Sequence, residues 1–220
     1  MDLLLGIKTE NEVILATSKN FARGISIMNH KDKKYINISD NIVMGISGES
    51  GDTTQFAEYI KANIQLYENR YSSIPTISLK EQETETTTSK SKDHLNTLST
   101  KNVANFVRQE LAKSLRSRKP YQVNVIIAGG EGSLYMIDYL GTMVEQPYVV
   151  QGYAAFYALS LLDHHYRVNL TEEDGLELVK KCIKEINLRV PAAIGDVDIV
   201  ILSPDQDGKE LLLTEKELRA

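Results

Sequence analysis

Three things are scarce in this chain of 220 residues: cysteine, long apolar runs and surplus positive charge. Cys182 is the only cysteine, so no internal disulfide can form and a reducing compartment is the natural home. No apolar stretch approaches the ~20 residues a helix needs to cross a bilayer, so no membrane is expected. A net charge of -5 offers no basic surplus to a nucleic-acid backbone, and no nucleic acid is expected as a partner. The opening Met1-Asp2-Leu3-Leu4-Leu5-Gly6 is too short and too acidic for a secretory signal. The remaining composition, 42% hydrophobic and 25% charged, is that of an ordinary globular chain. A chain this long can bury roughly 70% of its unfolded surface in one core. One domain over residues 1–220 is the expectation.

The most informative stretch is Ile42-Val43-Met44-Gly45-Ile46-Ser47-Gly48-Glu49-Ser50-Gly51-Asp52, together with the fifteen or so residues after it. It predicts a buried strand, a glycine turn and a helix over 53–67, with Asp52 as the acidic cap. Phe56, Tyr59, Ile60, Ile64 and Tyr67 form the one-sided apolar stripe of that helix. A second helix is predicted over 100–118 from Val103, Phe106, Val107, Leu111 and Leu115, stopped by Pro120. Between the two helices, residues 72–98 contain almost nothing apolar. They read as a mobile surface loop inserted into the domain.

Strands are predicted at 3–8, 13–17, 35–38 and 42–47 before the helices, and at 121–128 and 133–139 after them. A helix over 154–162 is apolar almost all round and reads as buried on several sides. Thr171-Glu172-Glu173-Asp174 has the form of a capping box and opens a helix carrying Leu176, Val179, Ile183 and Ile186. Strands at 197–203 and 209–213 close the chain around a turn at 205–208. Hairpin-length turns argue for antiparallel pairing, and paired helices argue for a layer on each outer face of two packed sheets. The expected fold class is α+β, a four-layer α-β-β-α sandwich.

That order, with three segments, resembles the beta-type subunits of the proteasome core particle. The first segment is Ser47-Gly48-Glu49-Ser50-Gly51-Asp52 with its helix. The second runs from Arg108-Gln109-Glu110-Leu111-Ala112-Lys113 through Arg118-Lys119-Pro120-Tyr121-Gln122-Val123-Asn124. The third is Leu161-Leu162-Asp163-His164-His165-Tyr166-Arg167 followed by Leu170-Thr171-Glu172-Glu173. The likeness lapses only over the polar loop, and it is strongest to the member at the fourth position of the beta ring, which is not proteolytic. It implies the N-terminal nucleophile hydrolase fold and a place in stacked heptameric rings of beta-type and alpha-type subunits, built with assembly chaperones. It also implies work in ubiquitin-dependent degradation, in cytoplasm and nucleus, with no cofactor.

Active members of that family attack the peptide carbonyl with an N-terminal threonine whose own α-amine is the base. Carried over residue by residue, the nucleophile position falls on Met1, with no propeptide before it, and the acidic residue of the second strand on Thr17. The lysine survives as Lys34, or as Lys33 under a shift of one residue. The serine before the third helix falls on Tyr153, and the late aspartate and serine fall on Val190 and Ala193. The resemblance therefore implies a scaffold with no catalytic residue.

The alternative is an active N-terminal threonine hydrolase, with Thr9 or Thr17 exposed by cleavage. That cleavage would strip ladder hydrogen bonds from a buried sheet. Lys34 in its charged turn reads as a solvated side chain rather than a remnant electrostatic group. His164-His165 point in different directions and lack a third ligand at metal-binding spacing, so no metal is expected. The glycine corner at 48–51 reads as a packing joint, because Glu49 and Asp52 would repel phosphate. Cys182 reads as a core thiol.

Overall fold

The computed structural model describes residues 2–23, 26–72, 98–190, 194–204 and 206–213. The inserted segment expected at 72–98 lies almost wholly outside them. Six strands come first: β1 Leu4–Lys8, β2 Val13–Ser18, β3 Phe21–Arg23, β4 Ser26–Asn29, β5 Tyr35–Ser39 and β6 Ile42–Gly48. Helices α1 Ser50–Ser72 and α2 Thr100–Ser114 come next, then β7 Val123–Gly129, β8 Ser133–Ile137, β9 Met143–Glu145 and β10 Tyr148–Gln151. The chain continues through α3 Ala155–His165, α4 Glu172–Arg189, β11 Val197–Ser203 and β12 Gln206–Leu213.

Two five-stranded sheets result, ordered β10-β1-β2-β11-β12 and β5-β6-β7-β8-β9, and a two-stranded hairpin β3-β4 stands apart. Every pairing is antiparallel. The alternation of strand side chains assigns neighbouring residues to different cores. Ile14 and Ala16 of β2 pack with Leu162 of α3 and Val179 and Ile183 of α4. Val13 and Leu15 of the same strand pack with Val43, Ile126 and Ala128 of the other sheet. Val125 and Ile127 of β7 then turn the opposite way, onto Phe56 and Ile60 of α1 and Val103 and Val107 of α2. Strands buried on both faces read as unbroken apolar runs, which is why 42–47 shows no polar alternation.

The helix ends obey the rules of unpaired backbone groups. Thr171 Oγ1 accepts the Asp174 N–H at 3.2 Å, as the capping motif predicts, and Ser99 Oγ accepts the Asn102 N–H at 3.3 Å at the start of α2. Asp52 is a correction. It lies inside the first turn of α1, and its carboxylate accepts the Gln122 N–H at 3.1 Å, tying the helix to the chain entering β7. Gly48 does need to be glycine: its φ is +146°, and a Cβ there would stand 2.1 Å from the Gln122 carbonyl oxygen. Gly51 has open space around it and no such requirement.

Other expectations also change. The order is six strands, two helices, four strands, two helices and two strands; β3, β4, β9 and β10 were not foreseen. Helix α1 runs longer than 53–67, and α2 ends at Ser114 rather than Arg118. Strand β12 starts at Gln206, inside the stretch expected to turn. Helix α3 is not buried all round: Ala158 and Leu162 face the core, but Phe156 is 79% exposed. Cys182 is buried in α4 as expected, and loss of water around it pushes its thiol up to about 12.

This packing sets two measurable outcomes. Gly48→Ala should lower the chemical-denaturation midpoint by an amount equivalent to at least ~2 kcal/mol, whereas Gly51→Ala should stay within about 1 kcal/mol of the parent. Cys182 should resist iodoacetamide at pH 8 in the folded protein and alkylate readily once denaturant opens α4, read by mass spectrometry.

Candidate functional site

Lys34 leads into β5, and its carbonyl accepts the Ile46 N–H at 2.9 Å, so its backbone belongs to the second sheet. Its side chain crosses to the first. The ammonium lies 2.8 Å from Asp2 Oδ1 and 3.2 Å from Ser18 Oγ, and it donates to the Asn20 carbonyl. An ammonium has three protons to give, and this cluster offers three acceptors. Ser18 Oγ also receives the Leu3 N–H at 3.0 Å. Lys34 is only 6% exposed, so it is not the solvated turn residue that its sequence context suggests. A buried cation persists where it is paired and hydrogen-bonded, and the partners that achieve this lie far away in sequence.

Beside this cluster opens a cleft of about 230 Å³, lined among others by Asp2, Lys33, Lys34, Gly48, Thr53 and Glu58. Lys33 turns its ammonium onto the Tyr35 ring, 4.2 Å from the centroid. At the far end of β10, Gly152 has φ +83°, and a Cβ on it would stand 2.5 Å from the Asp2 carbonyl oxygen. The start of β1 is thus held by Lys34 on the side-chain side and by Gly152 against its backbone.

This geometry holds charge in place. The hydroxyls of Thr53 and Thr54 donate to the Ser50 carbonyl at 2.9 and 3.2 Å, which commits them to the helix. Ser18 faces a cation, and a protonated amine cannot take its proton. Asp2 has its carboxylate on Lys34. Among the described residues of the cluster, no hydroxyl or thiol sits against a general base, the pairing that nucleophilic catalysis requires.

The positions singled out from sequence are only partly brought together. Lys34 is central. Thr17 is 1% exposed, pairs in register with Leu4 and Asp198, and its Oγ1 has no hydrogen-bond partner among the described residues. Tyr153 is 71% exposed beyond Gly152, and Val190 ends α4, donating its N–H to the Ile186 carbonyl. Met1 and Ala193 lie outside the described residues. The side chains that meet the lysine are Asp2 and Ser18, each one residue beyond Met1 and Thr17. Sequence reading allowed for a shift of one residue only at the lysine. Successive strand residues face opposite ways, so that single step decides which side chain meets the ammonium.

His164 and His165 stack edge-on at 4.8 Å, and among the described residues no group of three potential ligands could hold a metal ion.

The family model described as "Proteasome subunit" matches residues 3–97 and 81–202. Proteasome subunit beta type-4 of Saccharomyces cerevisiae is 47% identical over 213 residues, covering 94% of this chain and 95% of that protein. Probable proteasome subunit beta type-4 of Meyerozyma guilliermondii is 46% identical over 217 residues, covering 96% of this chain and 100% of that protein. Proteasome subunit beta type-2-B of Arabidopsis thaliana is 34% identical over 212 residues, covering 94% of each.

Removing one member of a buried pair strands the other, so Lys34→Met should cost about 2–4 kcal/mol in equilibrium unfolding. Adding Asp2→Leu to that variant should restore most of the loss, because the orphaned carboxylate is then gone.

Proposed function

The chain belongs to the proteasome subunit family, and from that premise we propose that it serves the core particle as a non-catalytic beta-type subunit. In this reading it closes the beta ring, walls the proteolytic chamber and positions active neighbours. The carrying observation is the pairing of Asp2 with Lys34 at 2.8 Å, which occupies the lysine with a carboxylate where chemistry would need a nucleophile. The names and full-length coverage of the beta type-4 relatives support the ring position. The three apolar clusters support the finer fold reading, a four-layer α-β-β-α sandwich of the N-terminal nucleophile hydrolase type.

Partners are other beta-type and alpha-type subunits in stacked heptameric rings, reached through assembly chaperones. The surface supports burial in a larger body: Tyr153, Phe156 and Val168 are 71%, 79% and 78% exposed, and Leu188 is 79% exposed. Large exposed apolar side chains, here on or beside α3 and at the end of α4, mark contact surfaces rather than free ones. The setting is ubiquitin-dependent degradation in cytoplasm and nucleus.

Native purification should recover the chain in a particle of several hundred kilodaltons or in its precursors; a stable free monomer as the main form defeats the proposal. Phe156→Lys should reduce incorporation into that particle by about tenfold in competition with the parent chain, while leaving α3 folded. A threonine at position 1 or 2, exposed as the first residue, should give no fluorogenic-peptide turnover attributable to this subunit. Turnover by that variant would revive the threonine hydrolase alternative.

A further inference from the structure

The chain carries net charge -5, yet the outer face of α2 and the residues just after it gather positive charge. Arg108, Gln109, Ala112, Lys113 and Arg116 line one shallow groove. Arg108 and Ala112 stand one turn apart on α2, and Arg116 follows at the same interval in the turn just past its end. The small side chain of Ala112 forms a floor between two arginines whose backbone positions lie about 12 Å apart along the axis. The turn at Gly141 rests against that alanine: its φ is +82°, and a Cβ there would stand 3.0 Å from the Ala112 Cβ. Tyr139 and Leu140 in the same turn are 40% and 48% exposed, which adds an apolar rim.

Cations at the end of a helix relieve its dipole, and that accounts for Lys113 and Arg116. It does not account for Arg108, which sits mid-helix. Lys113 is paired with Glu110 at 2.5 Å, but among the described residues neither Arg108 nor Arg116 has an ion-pair partner in its own chain. Guanidinium groups favour planar two-point contact with carboxylates, and two of them at fixed spacing read a pattern of acids rather than a single one.

We propose that the α2 groove between Arg108 and Arg116 docks an acidic segment of a neighbouring polypeptide, with two carboxylates at matching separation. An extended segment rises about 3.3 Å per residue, so the two acids stand about four residues apart. In a helical partner they stand about two turns apart. This inference rests on the assembly reading, since the neighbour is a subunit or an assembly factor of the same particle.

The test places a benzoylphenylalanine photocrosslinker at Gln109 in the assembled particle and identifies the captured peptide by mass spectrometry. The expected capture is a segment with two acids at that spacing. It should weaken about tenfold in R108E/R116E and about threefold in R108K/R116K, which keeps the charge but loses the two-point contact, both checked for unchanged thermal unfolding. Capture of a segment without acids, capture of nucleic acid, no capture, or indifference to charge reversal each overturns the proposal. Should the parent chain never enter a particle, the assembly reading fails separately. The free chain is then titrated with an octaglutamate peptide and with a single-stranded DNA of equal charge, monitored by anisotropy. Salt-sensitive binding of the peptide alone, lost in R108E/R116E, keeps the groove as an acid reader. No binding, or equal binding of both polyanions, removes it.

Discussion

A single ammonium group stitches the two sheets together. Lys34 belongs by its backbone to the second sheet and by its side chain to the first, where Asp2, Ser18 and the Asn20 carbonyl receive it. The apolar packing between the sheets would tolerate sliding, because the hydrophobic effect has no direction. A buried charge does not, since leaving its acceptors costs several kilocalories per mole. The pair therefore contributes position more than net stability. It fixes how β1 begins, and β1 in turn sets the register of β2 and β10.

The same stitch also shapes the cleft beside it. The ammonium is directed at Asp2, Ser18 and the Asn20 carbonyl, and the hydroxyls of Thr53 and Thr54 donate to the Ser50 carbonyl. Lys34 and Gly152 hold the leading end of the first strand from two sides.

Much of this was legible in the sequence. The long helices announced themselves by period and caps, as with Thr171 before α4 and the Val103–Leu111 stripe of α2. The buried strands announced themselves by apolar runs. Strands β3, β4, β9 and β10 left no signal, since pieces of three or four residues cannot show a period and are specified by the strands they meet. Helix α3 misled for a different reason: an apolar side chain offered to a partner is indistinguishable in sequence from one kept for the core. Lys34 misled because nothing in its own charged turn reveals acceptors contributed by residues 2, 18 and 20. No local mark in the sequence tells that Ser18 rather than Thr17 meets the ammonium.

Strands β2 and β7 are sealed on both faces, with alternate side chains committed to different cores. No position along them is neutral ground. Inheritable variation in this molecule is thereby pushed outward, onto helix backs and loop rims. The fold thus leaves its surface free to drift while its own interior stays locked.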